Sequence, residues 1–202
     1  STDFGVYAQD QIALTGQLDL LLGGRYDWAR DSYPDTYGSR NAACYPNCTA
    51  LPLVPYPTDK AFSPRVAALY KLDHRNSVYA SFSKSFGDSS GRDENGNPLK
   101  PQIGRQWELG YKTSQMGGRL TGSVTLYTLT KSNLTEYTPI DFFPRVVGAA
   151  RSRGIELDLA GQVSRNLNVI ASYTYDETRI TEDPYNGTLG HRLGSVAPHV
   201  LS

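Results

Sequence analysis

Hydrophobic and polar residues alternate along most of this chain. Between Arg151 and Thr181, Ile155, Leu157, Leu159 and Val163 fall on one parity, and Glu156, Asp158, Ala160 and Gln162 fall on the other. After residues 164–166 the alternation resumes with Leu167, Val169, Ala171, Tyr173 and Tyr175. A period of two is the signature of a strand with one apolar and one polar face. The same reading gives strands over residues 4–14, 18–33, 61–72, 77–86, 103–113 and 119–134. On one parity these carry Leu18, Leu20, Leu22, Gly24, Tyr26 and Trp28, then Val66, Ala68, Tyr70 and Leu72, then Val78, Ala80 and Phe82. Trp107, Leu109 and Tyr111 follow, and then Leu120, Gly122, Val124 and Leu126 opposite Thr121, Ser123, Thr125 and Tyr127. Eight strands and the start of a ninth are expected, with no amphipathic helix.

The connections alternate in length. The short ones are residues 15–17, 73–76, 114–118 and 164–166; the long ones are 34–60, 87–102, 135–144 and 182–190. In an up-and-down meander, successive connections lie at opposite ends. All short turns therefore share one end and all long loops the other, which is the pattern of an outer-membrane β-barrel. A soluble β-sandwich has no reason to segregate its loops this way. The mean hydropathy of −0.45 is compatible with a barrel, because alternating strands average low. No apolar run approaches the ~20 residues of a membrane-spanning helix. Aromatics at both ends of the apolar parity (Tyr26, Trp28, Tyr173 and Tyr175 at one, Tyr70 and Tyr111 at the other) read as two interfacial girdles. Arg151 and Arg153 share that parity. An arginine at the midplane of a lipid face costs ~2–4 kcal/mol, so both are expected above the hydrocarbon, among anionic headgroups.

The 202 residues carry 20 Lys+Arg against 20 Asp+Glu, a balance that argues against a nucleic-acid surface built from bulk charge. Cys44 and Cys48 are the only cysteines. A disulfide clip in an exported loop is the preferred reading over free thiols. No histidine stands near enough for a zinc site, and a redox motif has two intervening residues rather than three. The histidines are His74, in a predicted short turn, and His191 and His199, flanking the ninth strand. There is no G-x-S-x-G. "GRDENGNP" at 91–98 lacks the EF-hand spacing and its terminal glutamate. Two glycosylation patterns, at Asn133 and Asn186, mean little if the source is bacterial. Catalysis is not expected. Ligand binding is more plausible. Tyr33, Tyr37, Tyr45, Tyr56, Tyr137, Phe142, Phe143 and Tyr185 fall in or beside the long loops, with Arg40, Arg92 and Arg145. Rings offer flat, rigid contact area and arginine complements anionic metal chelates. The alternative is that these side chains pack the loops against one another.

Five stretches carry a family resemblance: "GVYAQDQIAL" with "LLLGGRYDW", "FSPRVAALYKLDHRNSVYASFSKSF", "LKPQIGRQWELGYKT", "RSRGIELDLAGQV" with "IASYTYDETRIT", and the terminal "GSVAPHVLS". In this order and spacing the chain resembles the C-terminal barrel of a TonB-dependent siderophore receptor. The resemblance implies an all-β antiparallel meander, a segment of a transmembrane outer-membrane β-barrel of about 22 strands with a plugged lumen. It also implies that residues 1–202 are a partial barrel domain, with the plug and the remaining strands elsewhere. The function implied is binding of a ferric siderophore by extracellular loops and energy-coupled import. The implied partners are outer-membrane lipid and lipopolysaccharide, and the TonB–ExbB–ExbD complex reached through the missing N-terminal region. Iron would arrive inside the substrate, so no cofactor or protein metal ligand is expected. The alternatives are the same fold importing cobalamin, haem or an oligosaccharide, and a β-sandwich or passive barrel serving adhesion or diffusion.

Overall fold

A computed structural model describes residues 2–30, 58–89, 98–137, 144–183, 187–194 and 196–202 of the chain. Nine strands follow one another: β1 (Thr2–Ala13), β2 (Leu18–Arg30), β3 (Asp59–Lys71), β4 (Asn76–Gly87), β5 (Gln102–Gln115), β6 (Leu120–Tyr137), β7 (Pro144–Ser164), β8 (Leu167–Glu182) and β9 (His199–Leu201). They form one antiparallel sheet in the order β1 to β9, each strand pairing only with its neighbours in sequence. The only helical element among the described residues is a 3-10 turn at Met116–Gly118. A β-sandwich would need a second sheet over the apolar face, and the described residues contain none.

The short turns are fixed by local chemistry. Thr15 Oγ1 accepts from the amides of Gln17 and Leu18, at 3.2 and 3.0 Å. Asp73 Oδ1 accepts from the amides of Arg75 and Asn76, at 2.6 and 2.9 Å, and Oδ2 accepts from Asn76 Nδ2 at 2.7 Å. These side chains occupy backbone donors that a tight reversal leaves unpaired. The third turn passes through Gly117 at φ +68°, a conformation in which a Cβ is disfavoured.

β6 and β7 run further than the alternation indicates. β7 starts at Pro144 rather than near Arg151, and β6 reaches Tyr137. "KSNLTEY" and "PRVVGAA" lack a clean period of two, yet they pair across a register shift between Ser132 and Thr135. Asn133 sits at that bulge with φ +57° and donates from Nδ2 to the Pro101 carbonyl at 2.7 Å. Periodicity is blind to such a stretch because one extra residue reverses the parity of everything after it.

The register sorts the side chains into two faces. One row across the sheet reads Ile12, Leu20, Ala68, Ala80, Leu109, Leu126, Ile155, Tyr175 and His199. This outward face stays open: Phe62, Val66, Trp107, Leu109 and Leu126 are 43–60% exposed. Among the described residues the buried apolar ones are few and mostly small, Ala29, Ala61, Leu99, Ala149 and Ala150, and none of them forms a protein core beneath the apolar side of the sheet. That side requires an apolar medium, and acyl chains supply one.

The band of apolar residues does not follow the rows. Leu20 on β2 is in register with Ile155 on β7, through Ala68, Ala80, Leu109 and Leu126. On β7 the band stops at Ile155, before Arg153; on β2 it continues eight residues past Leu20, to Trp28. Eight residues are roughly 26 Å along a strand, and five strand spacings are roughly 24 Å. The boundary is therefore tilted about 45° to the rows, close to the strand tilt of a closed transmembrane barrel. The lower edge moves the same way, from Leu18 on β2 to Val163 on β7, six residues beyond Leu157, its counterpart in register. Asp10 on β1 is the exception on this face, paired across from Leu22 near the short-turn end.

Aromatic residues line both edges. Trp28 packs with Phe4 and Tyr26, at 5.5 and 4.5 Å between centroids, and Phe82 packs with Trp107 at 4.6 Å. At the short-turn edge the Tyr70 hydroxyl donates to Gln17 Oε1 at 3.3 Å and the Tyr111 hydroxyl to Asn76 Oδ1 at 2.5 Å. Rings with their polar tips turned toward the turns suit a membrane–water interface.

Candidate functional site: the inner wall

The opposite parity faces inward and is held by side-chain hydrogen bonds across the strands. Ser81 Oγ and Gln106 Nε2 donate to the two oxygens of Glu108, at 3.1 and 2.5 Å. Ser123 Oγ donates to Asp158 at 3.1 Å, and Ser152 Oγ donates to Asp176 at 2.5 Å. The hydroxyls of Tyr79 and Thr125 share a bond of 3.0 Å, and Lys112 Nζ lies 4.9 Å from the centre of the Tyr79 ring. A Cβ on Gly110 would stand 2.2 Å from Tyr79 Cε1. Glycine at that position lets the ring lie flat across β5 and reach Thr125 on β6.

Charge on this wall is unevenly distributed. Carboxylates dominate β5 to β8, with Glu108, Glu156, Asp158 and Asp176. On β2 and β3 the signs are balanced: Arg25 is bound to Asp27 at 2.6 Å and Lys71 to Asp19 at 2.8 Å, with Arg65 and Asp59 on the same parity. Leu21, Leu69 and Ile170 interrupt the polar face, and Ile170 is 87% exposed. Surface depressions open on this side, one at the short-turn end and one toward the long loops among them. Lys71, Asp73, His74, Lys112 and Asp158 help line the one at the short-turn end. Tyr7, Arg25, Asp27 and Arg65 help line the one toward the long loops. In the first, hydrogen bonds from the Asn76 side chain and the Arg75 amide hold the Asp73 carboxyl below the usual carboxylate range. The chemistry available is that of a wet, hydrogen-bonding surface of divided charge. Among the described residues no group of three His, Cys, Asp or Glu side chains is arranged to hold a metal ion.

Most of the ligand-binding residues expected from the sequence lie outside the described residues: Tyr33, Tyr37, Arg40, Tyr45, Tyr56, Arg92, Phe142, Phe143 and Tyr185. Cys44 and Cys48 lie outside them too. Tyr137 and Arg145 are placed by their backbone alone. They stand at the far ends of β6 and β7, where Tyr137 pairs with Pro144 and Glu136 with Arg145. The histidines are dispersed. His74 is exposed in its turn and His191 is exposed beyond β8. His199 lies within β9 rather than beside it, and its Nδ1 is 2.9 Å from the Tyr173 hydroxyl.

Reading the sequence located Arg151 and Arg153 on the outward face but missed cations that join them there, Lys84, Arg105 and Arg179. The register sets Lys84 opposite Arg105, and Arg151 opposite Arg179. The signal was available: Lys84 and Arg105 each continue an apolar parity at its long-loop end.

Comparison with known proteins gives a consistent set. The family model "TonB dependent receptor-like, beta-barrel" matches residues 1–202. The metal-pseudopaline receptor CntO of Pseudomonas aeruginosa is 31% identical over 192 residues, covering 95% of this chain and 26% of that protein. The ferrichrome outer membrane transporter/phage receptor of Escherichia coli K12 is 33% identical over 200 residues, covering 98% of this chain and 24% of that protein. Among solved structures, the alcaligin outer-membrane receptor FauA from Bordetella pertussis superposes with a TM-score of 0.73 at 23% identity, covering 98% of this chain and 33% of that one. The ferripyoverdine receptor of the outer membrane of Pseudomonas aeruginosa gives 0.74 at 24% identity, covering 98% and 25%. The chain thus spans about a quarter of the length of these curated relatives.

Proposed function

The chain belongs to the TonB-dependent receptor-like β-barrel family, whose members are outer-membrane proteins, and from that premise we propose that it forms part of the wall of a receptor importing a ferric siderophore. The observation that carries this reading is the agreement between the named relatives, receptors for metal-pseudopaline, ferrioxamine and ferrichrome, and a sheet apolar outside and polar inside. Residues 1–202 contribute one partial barrel domain, completed by further strands and by a plug inside the lumen. The inner wall faces that plug and the water around it. The long loops, with their tyrosines and arginines, close over the substrate. Energy comes from the TonB–ExbB–ExbD complex, acting on a part of the receptor outside these residues. Iron is cargo held by the siderophore rather than by protein ligands, and the protein performs no covalent chemistry.

The test is uptake by cells with and without the full parent gene. Radiolabelled ferric siderophores, cobalamin and haem would be offered with and without an energised membrane. Loss of energy-dependent uptake of one ferric siderophore is expected. Loss of cobalamin or haem uptake instead would move the assignment to that cargo.

A further inference from the structure

On the inner wall a large side chain lies down where it could stand up. Tyr79 on β4, Gly110 on β5 and Thr125 on β6 share one row. A Cβ on Gly110 would lie 2.2 Å from Cε1 of Tyr79, 2.5 Å from Cζ and 2.7 Å from the hydroxyl. The ring therefore crosses β5 over bare backbone. Its hydroxyl bonds that of Thr125 at 3.0 Å, and Lys112 Nζ sits 4.9 Å from its centre. Gly110 and Thr125 are buried, although both face inward on an uncovered sheet. The arrangement recurs two strands on. Tyr127 pairs with Gly154 on β7, where an added Cβ would stand 2.8 Å from the tyrosine hydroxyl.

Side chains on a strand stand roughly perpendicular to the sheet unless something draws them over. An upright Tyr79 would rise beside Leu69, its partner in register on β3. There it would stand over a depression floored by Leu21, Ala67 and Leu69 and rimmed by Glu108 and Lys112. Glycine gives the ring room to lie flat, Thr125 supplies a hydrogen bond, and Lys112 a cation–π contact. These three interactions keep the depression open. Its depth matters. Val78 and Ala80, on either side of Tyr79, belong to the apolar band outside. The seat is therefore at a level that cargo must cross, well below the long loops.

We propose that Gly110 is a positioning residue for import. By seating Tyr79 flat, it keeps a passage for the iron chelate clear along the β3–β5 wall. It acts on the rate of passage and not on affinity for the cargo. The inference rests on the import reading of the preceding subsection. The rival role is purely structural, a ring that covers a glycine to steady its strand. The two roles differ in what they expect of a receptor lacking both the seat and the ring.

The test uses the full-length receptor that contains this chain, in cells deleted for the parent gene. The probes are radiolabelled iron bound by a trihydroxamate siderophore and by a tris-catecholate siderophore. Binding to de-energised cells gives Kd, and energy-dependent uptake gives the maximal rate. Gly110→Ala should lift the ring and lower the maximal rate about 10-fold, as overpacking depletes the flat ring, with Kd unchanged. The double variant Gly110→Ala/Tyr79→Ala should recover most of the lost rate, because no ring is left to lift. Tyr79→Trp outgrows the native seat and should also slow uptake; it decides the matter if Gly110→Ala does not reach the outer membrane. A wild-type rate in whichever of these two single variants is inserted would overturn the proposal. So would a double variant no faster than Gly110→Ala, which leaves the ring a structural role, or a changed Kd with an unchanged rate, which makes it a recognition element. A wild-type receptor that imports neither probe would sink the siderophore reading together with this inference; normal wild-type uptake with unaffected variants would sink only the inference.

Discussion

The outward faces of β2–β3 and of β7–β8 are built to different plans. β2 is apolar or glycine at every outward position from Leu18 to Trp28, and β3 continues past Val66 to Phe62. β7 is apolar or glycine from Val163 to Ile155 and then turns to Arg153 and Arg151; β8 turns to Glu177 and Arg179 at the same level. Yet Leu22 and Arg153 occupy the same row of the sheet. One row therefore runs from hydrocarbon into the headgroup layer. This teaches that depth in the membrane is not set by position along a strand or across a row. It is set by the tilt that relates them.

The sharpest attempt to break this comparison places charge where the tilt puts hydrocarbon. Leu22→Arg should cost about 2–4 kcal/mol, although Arg153 is native at the same register. Leu159→Arg, at the middle of the β7 band, should cost a similar amount. Denaturant unfolding of the lipid-reconstituted full-length receptor measures both. A neutral Leu22→Arg would mean that the band follows the rows and the tilt is wrong. On the inner face, Gly110→Val forces Tyr79 off β5 and breaks its bond to Thr125. Overpacking of this kind costs about 1–3 kcal/mol, read by the same assay, with loss of the Lys112–Tyr79 contact.

Spin labels sharpen the comparison by reading depth directly. Trp28→Cys and Ile155→Cys should report matching depths by oxygen and nickel-chelate accessibility, although their registers differ by eight residues. Leu20→Cys, in register with Ile155, should lie near the opposite interface. Matching depths for Leu20 and Ile155 would refute the tilt. The smallest effect belongs to the turn at Asp73. Its carboxyl is held below the ordinary range by Asn76 and Arg75. Its contribution is therefore complete above the ordinary carboxylate pKa and is lost as pH falls through the depressed value. Asp73→Ala should lower stability slightly at neutral pH and flatten a shallow acid-side slope, so that variant and wild type converge at low pH. An unaltered acid slope would show that the turn contributes none of it.

Much of the sheet was legible because its environment imposes a period of two. β1 to β5 and β8 were placed within a few residues where their bounds lie among the described residues, since one parity stays apolar or glycine, as from Leu18 to Trp28. β6 and β7 outran their patterns where the Asn133 bulge breaks parity. The short turns were legible from Thr15, Asp73 and Gly117, whose chemistry acts within three residues. Lys84 and Arg105 were missed because each is unremarkable on its own strand and only pairing brings them together. The loop tyrosines and arginines could be named by type but not assembled, because a loop site depends on distant segments that no local pattern connects.

Alternation alone determined that this chain makes strands with one apolar and one polar face, because each residue's side follows from counting. The order of short and long connections determined which end is which. Tertiary structure decided the register, since each pairing could slide by two residues without moving any side chain to the wrong face. From the register came the tilt near 45°, the row in which Leu22 and Arg153 meet, and the row that sets Tyr79 beside Gly110 and Thr125. Those are relations between strands, and the energy that fixes them is shared across the whole ladder rather than written at any one position.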